Sequence, residues 1–142
     1  MPVQISIDII LPAQLSSVYR AWTDPAGMTW FGSDPNGRVM HAAADLQPGG
    51  RFTVTFRNAD ETEFTFFGLY DEVQLNRKLS FSWEWVNEPG NISYVTVDLT
   101  PAADNQTRML FTHSGLWEGS AHNYLEGWQR TFGKLMDRLG LK

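Results

Sequence analysis

The chain has 142 residues, a net charge of −5, a pI near 5.0 and no cysteine. Its 11 lysines and arginines are scattered instead of forming the basic stripe that a phosphate backbone requires, which argues against nucleic acid as a partner. The lack of cysteine rules out disulfides and thiolate metal ligands. The sequence contains no run of 18 apolar residues, so we expect no insertion into a membrane. We therefore expect one cytoplasmic domain over residues 1–142.

The N-terminal third predicts a strand followed by two helices. Residues 4–10 alternate, with Ile5, Ile7 and Ile9 on one face, which is typical of a strand. Helical spacing begins after Pro12, with apolar residues at Leu15, Val18, Tyr19 and Trp22. Asp24 and Pro25 predict the start of a short second helix that ends at Phe31–Gly32, and the turn residues of 32–37 predict a loop.

The middle of the chain predicts an antiparallel sheet. Strand patterns alternate with turns of about three to six residues, which are too short for parallel crossovers. The predicted strands are 38–43, 51–56, 63–73, 79–85, 92–99 and 107–113. One face of this sheet is apolar throughout and needs a cover.

The last helix supplies that cover. Apolar residues recur at helical spacing, namely Ala121, Leu125, Trp128, Phe132, Leu135 and Leu139, with Ser120 as the expected N-cap and Gly140 just beyond the end. Gly127 and Gly133 each cost about 1 kcal/mol of helix propensity. Gly127 borders the apolar stripe beside Trp128, so its missing side chain predicts either close approach of the sheet or space for a ligand. Gly133 is expected to be exposed.

Several ordered motifs resemble the START-like (SRPBCC) superfamily, in the branch named after the activator of the heat-shock-protein-90 ATPase. They are TDPAGMTWFG at 23–32, PGGRF at 48–52, GLYDEV at 68–73, LSFSWEW at 79–85, TRMLFTHSGLW at 107–117 and GWQRTFGKLMDRL at 127–139. The resemblance implies an α+β helix-grip fold: a curved antiparallel sheet wraps a long C-terminal helix, and two short helices follow the first strand. Members of this superfamily usually hold an apolar small molecule between sheet and helix.

Candidate ligand-binding residues follow from the inward phase of the strands and the last helix. They are Phe52, Val54, Phe56, Phe67, Leu69, Phe81, Trp83, Trp85, Met109, Phe111, His113, Gly127, Trp128 and Phe132, with Trp30 and Trp117 expected at the mouth of a cavity. Each aromatic is also compatible with ordinary core packing. His113 would either bind a ligand or move a proton, or else be held by backbone, Tyr94 or Trp117.

Other kinds of site have little support in the sequence. His41, His113 and His122 lack metal-ligand spacing, and no nucleophile motif is present. Glu84 and Asp98 have an outward phase. We therefore expect no metal, no cofactor and no catalytic residue.

Three functions remain. The first is a binding protein for a small apolar molecule, either lipid-like or aromatic, in the cavity between sheet and helix, with no chemistry of its own. The second is an enzyme of the polyketide cyclase or aromatase type that uses the same cavity, and the third is a co-chaperone-like interaction protein. Exposed sheet edges leave both a monomer and a homodimer open.

Overall fold

A computed structural model describes residues 2–140 and contains seven strands and two α-helices. The strands are β1 (Pro2–Leu11), β2 (Arg38–Ala44), β3 (Arg51–Arg57), β4 (Glu63–Gln74), β5 (Lys78–Trp85), β6 (Ser93–Pro101) and β7 (Thr107–Trp117). The helices are α1 (Leu15–Thr23) and α2 (Ala121–Gly140), with single 3-10 turns at Pro25–Gly27 and Glu118–Ser120.

The seven strands form one antiparallel sheet in the order β1-β7-β6-β5-β4-β3-β2. From β2 to β7 each strand pairs with its neighbour in the chain, while β1 closes the far side against β7. The sheet curves around α2, whose buried residues are Trp128, Thr131, Phe132 and Leu135. The predicted helix-grip fold is confirmed. No helix among residues 2–140 has the length and apolar character needed to cross a membrane.

The first predicted N-terminal helix is present and contains all four predicted apolar residues, whereas the second is shorter than expected. Helix α1 begins at Leu15, after Pro12, and the second helix is only one 3-10 turn. Asp24 does cap this turn, since its carboxylate accepts a hydrogen bond from Ala26 N at 3.0 Å. The chain then leaves helical geometry because Trp30 turns into the core and donates its indole N–H to Ala21 O at 2.9 Å.

Trp22 lies at the centre of the core. Its ring lies within 6.3 Å, centroid to centroid, of six other aromatic rings, which are Trp30, Phe31, Phe81, Phe111, Trp128 and Phe132. These rings come from the N-terminal segment, the sheet and α2. Many of the aromatic residues therefore pack together in the core and hold the three parts of the fold to one another.

Strand β4 has the opposite phase to the predicted one. Phe66, Gly68 and Tyr70 face the core, whereas Leu69 is 53% exposed and Phe67 lies on the outer face. The register explains this, because Phe66 pairs with Trp85 and Phe67 pairs with the outward-facing Glu84. The sequence is ambiguous here, since apolar residues occur in both phases of EFTFFGLY. On the outer face, the Arg51 guanidinium covers the Phe67 ring at 4.6 Å.

Gly68 is required by the close approach of β5. A Cβ on this residue would lie 1.8 Å from Ser82 O, so no side chain fits. The neighbouring Leu69 N donates to Ser82 Oγ at 2.9 Å. The β4–β5 pairing shifts register between Tyr70 and Glu72.

The ends of α2 differ in detail from the prediction. Ser120 belongs to the preceding 3-10 turn, where its hydroxyl donates to Trp117 O at 3.1 Å. Gly140 is the last residue of the helix instead of lying beyond it. Gly133 is exposed, as predicted.

Candidate functional site

A cleft of about 210 Å³ lies between the first half of α2 and the strands β3 to β5. The segment Phe31–Ser33, between the first 3-10 turn and β2, closes one side. The lining residues are Phe31, Gly32, Ser33, Phe56, Phe66, Trp83, Trp85, Asn123, Tyr124, Gly127, Trp128 and Thr131. Six of these twelve residues are Trp or Phe, and none of the twelve carries a charged side chain.

The sheet side of the cleft is a rigid aromatic wall. Phe66 stacks on Trp83 with centroids 4.0 Å apart and planes at 19°. Trp85 meets both rings edge-on, at 5.8 Å and 5.4 Å. Because consecutive inward positions of neighbouring strands supply these rings, the strand register holds them in place.

Gly127 provides the clearance on the helix side. Apart from the neighbouring residues and backbone of the helix itself, a Cβ at this position would have no atom of residues 2–140 within 4 Å, so the sheet does not approach the helix closely here. Of the two explanations that the sequence offered, close approach is therefore wrong, and Gly127 borders open space in the cleft. Asn123, Tyr124 and Thr131 line the same cleft because they lie four, three and four residues away along α2.

Three polar groups meet at the inner part of the cleft. Trp85 donates its indole N–H to the hydroxyl oxygen of Tyr124 at 2.9 Å. Burial raises the pKa of Tyr124, and the indole N–H groups of Trp85 and Trp83 act in the opposite direction. The Trp83 N–H lies near enough to this hydroxyl to act on its pKa, but among residues 2–140 this buried nitrogen has no partner within hydrogen-bond geometry.

Trp83 is exceptional among the core-facing tryptophans. The indole N–H of each of the other four has an acceptor. Trp22 donates to Met109 Sδ and Trp30 donates to Ala21 O. Trp85 donates to Tyr124 Oη and Trp128 donates to His113 Nδ1. A buried donor that lacks a partner costs about 1–3 kcal/mol. The cost falls on a residue of the cleft wall.

Lys134 fixes the segment that closes the cleft. Its ammonium donates to Gly32 O at 3.2 Å and to Asp34 O at 3.1 Å. Burial lowers the pKa of Lys134, with the nearby Arg138 charge acting in the same direction. Gly32 itself has a φ of 101°, and a Cβ there would lie 2.9 Å from the Phe56 ring. Glycine is therefore needed at this edge of the cleft.

His113 faces inward as predicted, but it lies behind the cleft wall and does not line the cleft. Trp128 donates its indole N–H to His113 Nδ1 at 3.0 Å. The imidazole proton is therefore on Nε2, which donates to Ser93 Oγ at 2.7 Å. Burial lowers the pKa of His113 to about 3. Both ring nitrogens are thus occupied, and neither of the expected partners Tyr94 and Trp117 holds them.

The predicted ligand-binding residues fall into three groups. The cleft is lined by Phe56, Trp83, Trp85, Gly127 and Trp128. The core instead contains Trp30, Phe52, Val54, Phe81, Met109, Phe111, His113 and Phe132. Outside both lie Phe67, Leu69 and Trp117, and Trp117 is 66% exposed at the end of β7. Trp30 is fully buried and is therefore not at a mouth.

Seven lining residues were not predicted. They are Phe31, Gly32, Ser33, Phe66, Asn123, Tyr124 and Thr131. The three on α2 could have been found from their helical spacing to Gly127. Phe66 is absent from the predicted set because β4 was predicted with the opposite phase. Residues 31–33 lie in a loop, and a loop has no periodic sequence pattern from which its position could be predicted.

A family model agrees with this architecture. The model described as Activator of Hsp90 ATPase homolog 1-like protein matches residues 12–140. The chain belongs to this family. No curated protein matches the chain.

Solved bacterial structures share the fold of this family member. A protein from Chromobacterium violaceum is 20% identical, with a TM-score of 0.83 over 98% of both chains. The AHSA1 protein from Silicibacter pomeroyi is 19% identical, with a TM-score of 0.82 over 96% of this chain and 97% of that one. An AHSA1-like protein from Aeromonas hydrophila is 22% identical, with a TM-score of 0.78 over 96% and 91% of the two chains. At these identities the likeness concerns the fold.

Proposed function

We propose that this family member binds a small aromatic molecule in the cleft between β3–β5 and α2, with no chemistry of its own. The observation that carries the proposal is the clearance at Gly127. A glycine in the middle of a 20-residue helix costs about 1 kcal/mol, and here the missing side chain borders a cleft with aromatic walls. Flat aromatic surfaces such as Phe66 and Trp83 favour a flat apolar ligand through stacking.

The size of the cleft limits the ligand. About 210 Å³ is less than the roughly 300–1,000 Å³ typical of sites for drug-sized molecules. It exceeds the roughly 150 Å³ at which an apolar protein cavity already holds benzene. A substituted single ring therefore fits, and of the two expected classes an aromatic molecule suits the cleft better than a long lipid chain.

The enzyme alternative has less support. An enzyme of the cyclase or aromatase type needs an inward polar group that moves protons, such as His113 or a tyrosine, and His113 lies outside the cleft. Tyr124 lies in the cleft, but its raised pKa keeps its hydroxyl protonated near neutral pH. The cleft lining, which is fully within the described residues, contains no carboxylate or imidazole to act as a base. The co-chaperone alternative rests on the family name, whereas the binding proposal rests on the geometry of this chain.

A titration with single-ring aromatic compounds tests the proposal. We expect the indole N–H resonances of Trp83, Trp85 and Trp128 to shift in ¹H–¹⁵N spectra, while that of the exposed Trp117 stays unchanged. Native mass spectrometry should show one ligand per chain. The proposal would be wrong if no such compound bound, or if only Trp117 responded. A fatty acid in the same titration tests the lipid-like class.

The cytoplasmic location and the choice between monomer and homodimer stay predictions. Strands β1 and β2 form the two edges of the sheet, and either edge is a surface on which a second copy could pair. Light scattering at several concentrations measures the oligomeric state directly.

A further inference from the structure

The unpartnered indole nitrogen of Trp83 constrains what the cleft can hold. Trp83 is 4% exposed and its ring is clamped by the stacked Phe66 and by the edge of Trp85. An indole nitrogen is a donor only. A group that completes this site must therefore accept a hydrogen bond.

Tyr124 adds a second donor beside the first. Its hydroxyl oxygen already accepts the Trp85 N–H, and within residues 2–140 no acceptor receives the Tyr124 proton. The hydroxyl therefore keeps an O–H to donate toward the cleft that it lines. Trp83 and Tyr124 thus offer two donors at the same point.

The charge of the lining restricts the acceptor further. All twelve lining residues lie in the described part of the chain, and none is a lysine, arginine or histidine. Lys134 donates a hydrogen bond to Gly32 O in the segment that closes the cleft, but Lys134 is not one of the lining residues. A buried carboxylate or phosphate without a cation is costly, whereas a neutral oxygen needs only the hydrogen bonds.

We propose that the ligand is a neutral single-ring aromatic molecule whose carbonyl or ether oxygen accepts hydrogen bonds from Trp83 Nε1 and the Tyr124 hydroxyl. This inference rests on the binding function proposed above and specifies its ligand class. The ring lies against Phe66 and Trp83, and the oxygen enters between the two donors. Because the Trp83 nitrogen is covered, Tyr124 shifts its side chain to admit the oxygen, a rotamer change of the kind common on binding.

A pair of isosteric probes tests the acceptor requirement. Acetophenone carries a carbonyl oxygen where α-methylstyrene carries a methylene group, so the two differ in the acceptor and hardly in shape. In the wild-type chain we expect the Trp83 indole proton, assigned by its contacts to Phe66, to move downfield with acetophenone only. We expect Trp83→Phe to weaken acetophenone binding about tenfold relative to α-methylstyrene, the amount that one hydrogen bond contributes. Tyr124→Phe should act in the same direction.

Matched substitutions elsewhere serve as controls. Trp117→Phe and Tyr94→Phe alter exposed residues outside the cleft lining and should leave the relative affinity of the two probes unchanged. If Trp83→Phe fails to fold, the Tyr124→Phe comparison and the Trp83 proton shift in the wild-type chain decide the matter.

The outcomes separate this inference from the proposed function. If both probes bind in the cleft and their relative affinity is the same in wild type, Trp83→Phe and Tyr124→Phe, the acceptor inference is wrong and the binding function stands. Benzoate binding more tightly than acetophenone would overturn the restriction to neutral acceptors. If neither probe binds, the acceptor inference is wrong, and the binding function is wrong as well if no other single-ring aromatic compound of the titration binds.

Discussion

Replacing Gly127 with leucine should change the stability of this protein and its ligand affinity in opposite directions. Glycine at a mid-helix position costs about 1 kcal/mol relative to a good helix former such as leucine. A Cβ at Gly127 meets no atom within 4 Å, so the larger side chain has no clash to offset that gain. We expect Gly127→Leu to raise the free energy of unfolding by up to about 1 kcal/mol, which corresponds to roughly 2–5 °C in melting temperature for a chain of this length.

The same substitution should block the cleft. In a helix a leucine side chain leans back over the preceding turn, which here contains the lining residues Asn123 and Tyr124. The four added carbons take up about as much volume as four water molecules, at roughly 30 Å³ each, or about half of the cleft. We therefore expect the affinity for acetophenone to fall at least tenfold.

Gly133→Leu is the matched control. Gly133 lies on the same helix, is exposed, and also has no atom within 4 Å of a built Cβ. It should give a similar gain in stability while leaving the affinity unchanged. Thermal unfolding and an NMR titration measure both quantities on both variants. If Gly127→Leu lost stability, the space beside Gly127 would be smaller than the structure shows. If it bound the probe as tightly as the wild type, the cleft would not be the binding site.

Three further predictions concern stability and the cleft edge. The pKa of His113 is about 3 in the folded chain, against an ordinary value of 6.5. As the pH falls, the unfolded chain therefore binds the proton before the folded chain does. The free energy of unfolding should be highest above pH 6.5 and should decline below it. By pH 4.5 the loss should reach roughly 2–3 kcal/mol in urea unfolding, and His113→Gln, although less stable at neutral pH, should lack this slope. Gly68→Ala should cost about 1–3 kcal/mol because its Cβ would meet Ser82 O, whereas Gly119→Ala, which meets no atom, should stay within about 0.5 kcal/mol of wild type. Lys134→Met should speed hydrogen exchange across residues 32–37, because two hydrogen bonds to that segment are lost, and unchanged exchange would show that they do not hold it.

The sequence by itself determined the elements and their order. The periodicity of Ile5, Ile7 and Ile9, the turn residues between strands and the apolar stripe of the last helix are local signals, and local signals are sufficient to predict an antiparallel sheet that covers a helix. The inward position of His113 and the place of Gly127 at the border of the apolar stripe also follow from phase along a single strand or helix, whereas the folded structure decided that Gly127 borders open space.

Tertiary structure decided which inward residues line the cleft and which fill the core. Phase places Phe111 and Trp83 on the same face, but only the curvature of the sheet around α2 puts one in the core and the other on the cleft wall. The phase of β4 was set by its pairing with Glu84 and Trp85, because its own sequence fits both phases. The missing partner of the Trp83 nitrogen is likewise a matter of non-local geometry, since it depends on which groups the folded chain brings within hydrogen-bonding distance.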